Sequence, residues 1–129
     1  MPAFVDIPGR DAQLVRMAVT EKRRKAASER SAQHAAIMAA IKAHESELRE
    51  RGVTSLDLFG SRARGDERPD SDLDVLISYD IDRRFTLYDL VAVERLLESL
   101  TGLNVHVVTR DSFRPHRLHL VLDDAVKVL

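Results

Sequence analysis

Apolar residues change their period several times along this chain, and each change marks an element. From Arg10 to Arg51 there is neither glycine nor proline, and alanine, glutamate, arginine and lysine dominate. That composition predicts helix. About forty residues is long for one helix in a small domain, so a break or bend is expected near Ser28–Ser31, where serines can cap a second helix. In the second piece Ile37, Ile41, His44 and Leu48 recur at helical spacing, and Gly52 ends it. Ahead of the helix, Pro2, Pro8 and Gly9 predict an irregular arm over residues 1–9.

The period then shortens to two. VTSLDLF (Val53–Phe59) reads as a strand running into the turn Gly60-Ser61, with Val53, Ser55, Asp57 and Phe59 on one face. ARGDERPDS follows as a charged, glycine- and proline-punctuated loop, and DLDVLISY (Asp72–Tyr79) as a second strand. Helical spacing returns at Thr86–Thr101, with a stripe of Leu87, Leu90, Val91, Leu97 and Leu100. NVHVVT (Asn104–Thr109) is a third strand, Pro115 opens a short helix through Asp123, and AVKVL closes as an edge strand. This order predicts an α/β (α+β) domain: a small mixed sheet with helices on one face, and an extra helix at the N-terminus.

Composition narrows the class. The 129 residues suit one hydrophobic core. No cysteine is present, which excludes disulfides and thiolate metal sites. No apolar run approaches the roughly 20 residues of a membrane span, and the first residues lack a signal-peptide pattern, so a cytoplasmic location is expected. The formal net charge of -1 argues against a general nucleic-acid coat, and direct nucleic-acid binding is not expected. Charge is nonetheless uneven. Residues 10–33 hold seven basic and three acidic residues, a balance of +4; residues 34–129 hold 13 basic and 17 acidic, a balance of -4. The chain therefore divides into an N-terminal arm and basic helix (1–33) and a mixed domain (34–129). The basic helix is either a solvated face or a contact surface for an acidic partner, a second subunit or RNA.

The chemistry lies in DLFGSRARGDERPDSDLDVLIS. Strand alternation points Asp72 and Asp74 to one side and Leu73, Val75 and Ile77 to the other. Two carboxylates on one face repel each other unless a cation sits between them. A hard divalent ion such as Mg²⁺ takes one or two carboxylates together with substrate phosphates. Gly60 at a strand end allows close backbone approach to a ligand. The Ser61 hydroxyl can donate to a phosphate oxygen, and Arg62 and Arg64 are candidates for phosphate charge. A phosphate cradle on one strand end beside a metal pair on the next makes a metal–nucleoside triphosphate site. The plain alternative is a turn and a solvated strand edge.

Gly60-Ser61, ten residues, then Asp72-Leu73-Asp74 resembles the signature of the polymerase-beta-like nucleotidyltransferase superfamily. The surrounding LFGSRARG…PDSDLDVLI is similar to its smallest branch, the minimal nucleotidyltransferases, often antitoxins paired with HEPN ribonuclease toxins. The resemblance covers His34 to Leu129. It implies transfer of AMP from ATP to a hydroxyl, a tyrosine of a cognate HEPN toxin being the most plausible acceptor. Gly60, Ser61, Arg62 and Arg64 would then bind nucleotide, and Asp72 and Asp74 would bind Mg²⁺. Two other classes stay open: a binding module that occludes the toxin without turnover, and an enzyme acting on a small molecule.

One departure from the family pattern matters. Members carry a third carboxylate on a following strand, in a stretch like VDLVT; here the stretch is VHVVT, and the position falls on His106. A neutral imidazole is a poor Mg²⁺ ligand but a competent base near neutral pH. His106 therefore acts as the base, or stands by while two acids work slowly, or marks a domain that has kept only binding. His34, His44, His116 and His119 form no metal-ligand spacing and read as surface or packing residues.

Overall fold

The computed structural model describes the backbone from Gly9 and the side chains from Leu14 onward, to Leu129. The arm expected over residues 1–9 lies almost wholly outside the described residues. Helix α1 runs Gly9–Ala43 without interruption. The break expected at Ser28–Ser31 does not occur. Alanines 26, 27, 32, 35 and 36 flank those serines, and an internal serine costs only a few tenths of a kcal/mol in such a setting. The chain turns at His44 instead, before α2 (Glu45–Glu50). Two compact units are divided between Gln33 and His34, and the second carries the sheet.

That sheet comprises β1 (Val53–Phe59), β2 (Leu73–Tyr79), β3 (Val105–Thr109) and the short β4 (Val126–Lys127), in the order β3-β2-β1-β4. β1 pairs antiparallel with β2 and β4, and β2 pairs parallel with β3, so the sheet is mixed as expected. The parallel pair needs a crossover. It is supplied by α4 (Leu87–Thr101), which starts on a Thr86–Asp89 capping box and ends at Gly102. Between β1 and β2 lies α3 (Ser61–Arg64), and after β3 come a 3₁₀ turn (Arg110–Ser112) and α5 (Pro115–Asp123).

One face of the sheet is the core. Ile37, Ile41 and Leu48 from the first helices and Val93 and Leu97 from α4 join Leu56, Leu58, Leu73, Val75, Ile77, Val105 and Val107 in one buried cluster. Each fully buried aliphatic side chain contributes about 1.5–3 kcal/mol. The inward line of α4 is Val93 and Leu97 with partly buried Leu90, whereas Leu87 and Val91 are exposed. Leu90 and Leu97 belong to the predicted stripe, Leu87 and Val91 do not face the core, and Val93 was missed. A register shift between Val53 and Ser55 turns Val53 into the core, away from the face of Asp57 and Phe59 that simple alternation gave it.

The opposite face is only partly open. Leu76 is fully buried there. The segment after β3 reaches over this face, setting Phe113 edge-on to Phe59 with ring centroids 6.4 Å apart. Arg110 Nη2 donates to Asp57 Oδ2 at 2.7 Å. No helix among the described residues is long and apolar enough to cross a membrane.

Candidate functional site

Register builds the site. On the partly open face Phe59 of β1 sits opposite Asp74 of β2, and Asp74 sits beside His106 of β3. The residue after Phe59 is Gly60, so the end of β1 arrives against the Asp74 carboxylate. A Cβ built on Gly60 would lie 2.3 Å from Asp74 Oδ2. Gly60 also has φ 76°, ψ -156°, a region open essentially to glycine alone. Both facts require glycine here, and the second strand's acid is the reason for the close approach.

Ser61 opens α3 directly after this contact. The ten residues between Ser61 and Asp72 make a closed loop. Arg62, only 5% exposed, donates from Nε and Nη2 to the Ser71 carbonyl at 3.1 and 2.9 Å. The two phosphate candidates, Arg62 and Arg64, therefore stand in different surroundings. Arg62 ties the loop's end to its beginning just before β2, whose Asp74 lies beside Gly60. Arg64 is exposed, with a loose contact to Asp66 at 3.3 Å, and its charge reaches Asp74.

Asp72 is exposed just before β2, and Asp74 is partly buried. Burial raises the Asp74 pKa above the ordinary carboxylate value, and the like charge of Asp72 adds to this. His106 opposes the rise, with Nδ1 3.7 Å from Asp74 Oδ1. Val105 and Val107 are buried while His106 is exposed, so the imidazole shares the face of the two acids. Repulsion between Asp72 and Asp74 fits a divalent cation that is completed by substrate oxygens. Among the described residues no group of three or more His, Cys, Asp or Glu forms a full metal cage. An ion held here would depend on its substrate for the remaining ligands.

Two features escaped the sequence. Asp57 is buried with its Oδ1 unpartnered and its Oδ2 on Arg110, so it anchors the segment after β3. A carboxylate inside the apolar run LDLF was a signal that some distant cation had to meet it. The second is a pocket of about 210 Å³ lined by Gly60 and Arg64, by Arg117, Leu120 and Val121 of α5, and by Asp124 just after it. Nothing in the spacing of Arg117 marked it.

Residues 41–128 match the family model described as a nucleotidyltransferase domain. The protein adenylyltransferase MntA of Thermococcus cleftensis is 38% identical over 89 residues, which span 68% of this chain and 88% of that protein. A solved structure described as a minimal nucleotidyltransferase is 31% identical with TM-score 0.56, covering 69% of this chain and 93% of its own. The tri-AMPylated HEPN toxin of Shewanella oneidensis in complex with its MNT antitoxin aligns at TM-score 0.50 and 15% identity, over 71% of each chain, a likeness of fold. With the matched family model covering most of the chain, this protein belongs to the nucleotidyltransferase-domain family, among its minimal nucleotidyltransferases.

Proposed function

We propose that the chain is an antitoxin-type adenylyltransferase that moves AMP from ATP to a hydroxyl, a tyrosine side chain, on a cognate HEPN ribonuclease toxin. The observation that carries the reading is the meeting of Gly60-Ser61 with Asp72 and Asp74 on one sheet face, with His106 beside them. The MntA relative is named as a protein adenylyltransferase, which supports a protein acceptor. The Shewanella oneidensis complex supports a HEPN toxin as that acceptor.

In this reading Asp72 and Asp74 hold Mg²⁺, which when bound neutralises charge on the triphosphate. Gly60 leaves room for the phosphates and Ser61 donates to one of them. The acceptor hydroxyl oxygen bonds to the α-phosphorus while the bond to the bridging oxygen breaks, and pyrophosphate leaves. The hydroxyl proton passes to His106. General-base help of this kind is worth about 10²–10⁴ in rate. A second reading, occlusion of the toxin without turnover, draws on the same residue, since an imidazole is a poor Mg²⁺ ligand where the family carries a carboxylate.

Co-expression with the toxin, followed by intact-mass measurement and a growth-rescue assay, separates the two. The enzyme reading expects AMP on the toxin, lost with Asp72→Asn or Asp74→Asn. It expects transfer slowed by about 10²–10⁴ with His106→Ala, and kept or raised with His106→Asp. Rescue without added AMP, unchanged by any of these substitutions, would leave occlusion as the mechanism.

A further inference from the structure

We propose that Arg117 of α5 is the second cation of the triphosphate site, gripping the β- and γ-phosphates opposite Arg64 across the pocket at Gly60. The inference rests on the nucleotide-transfer reading above. A triphosphate keeps net negative charge after one divalent ion binds, so a site of this kind needs cations from the protein. Arg62 is buried, with Nε and Nη2 turned to the Ser71 carbonyl. That leaves Arg64 alone on α3.

The pocket supplies the second. Arg64 and Gly60 form one wall and Arg117 stands on the other, next to the backbone that touches Asp74. Arg117 is exposed, and among the described residues its side chain makes no ion pair. A guanidinium with free donors suits phosphate oxygens, which it can meet two at a time. Asp124 also lines this pocket, so the two arginines must outweigh one carboxylate there.

The chain leading into α5, which carries Arg117, is pinned to the sheet by Arg110 on Asp57 at 2.7 Å and by Phe113 against Phe59.

The test is calorimetric titration of the full chain, in Mg²⁺, with a non-hydrolysable ATP analogue and with AMP. Arg117→Ala should weaken the triphosphate by roughly tenfold to a hundredfold, the usual worth of a charged hydrogen bond. AMP affinity should stay at the wild-type value, and Arg117→Lys should recover part of the loss. Because Arg117 is exposed, the melting temperature should not move; Arg117→Gln, which retains the stem, replaces Ala if it does. Equal triphosphate affinity in wild type and variant overturns the assignment, as does an equal loss for both nucleotides. Failure of wild type to bind the triphosphate at all defeats the nucleotide reading itself, and Arg117's role with it.

Discussion

Gly60 and Asp74 touch so closely that a single methyl group cannot be placed between them, since a Cβ on Gly60 would fall 2.3 Å from Asp74 Oδ2. Gly60→Ala therefore meets two penalties. The backbone at φ 76° disfavours any side chain by about 1–2 kcal/mol, and the methyl must push the carboxylate away. Gly65 is the control, because its φ is 80° but a Cβ there has nothing within 4 Å. Gly65→Ala should cost about 1 kcal/mol and leave Mg-dependent ATP binding intact. Gly60→Ala should cost more and abolish that binding. Similar binding in the two variants would separate Gly60 from the site.

Arg62 serves the site from inside. Removing it leaves the Ser71 carbonyl without two charge-assisted hydrogen bonds of 3.1 and 2.9 Å and opens the loop that carries Asp72. Arg62→Ala should lower unfolding free energy by about 1.5–3 kcal/mol in a urea titration. Arg64→Ala, at an exposed position, should change stability by less than about 0.5 kcal/mol. Equal stabilities for the two would refute the division of labour between them.

The Asp57–Arg110 pair joins β1 to the segment after β3. Asp57 is 5% exposed, while the Arg110 side chain is 37% exposed. Breaking a buried pair by removing one partner typically costs about 3–5 kcal/mol, and water at Arg110 reduces this. Arg110→Ala strands the buried acid and should cost about 2 kcal/mol in the same titration. Double substitution Asp57→Leu with Arg110→Met should restore most of that. No recovery in the double variant would mean the pair is not the anchor.

Asp74 sets a pH dependence. Burial first, and Asp72 second, hold its proton to a higher pH in the folded chain than in the unfolded one. A raised folded pKa gives stability that is present below the unfolded value, near 3.8, and lost as pH rises through the folded value. Above the folded value, ionised Asp74 therefore burdens the folded chain. Asp74→Asn should raise the melting temperature at pH 7 in a chelator, and the gain should vanish toward pH 3. Mg²⁺ with ATP should stabilise wild type and not the variant. A lower melting temperature for Asp74→Asn at pH 7 would contradict the burial cause.

Short-range pattern carried much of this protein. Period two located all three long strands, and alanine-rich composition without glycine or proline marked α1. That Asp74 lies opposite the buried Leu73, Val75 and Ile77 was legible because a two-residue repeat alternates faces wherever the strand lies. His106 was legible for the same reason, between Val105 and Val107. Each of these follows from interactions within a few residues, which a sequence displays directly.

Tertiary structure decided the rest. Arg62 and Arg64 are two residues apart and alike in sequence; one is buried on Ser71 and the other faces solvent, because the loop folds back over only one of them. The register shift after Val53 and the line of α4 through Val93 depend on what packs opposite them. Asp57 waited for Arg110, 53 residues away, and the pocket beside Gly60 is completed only when the last helix, with Arg117, folds against it. Whether a charge is buried, paired or free depends on which distant segment closes over it, and local spacing carries no record of that.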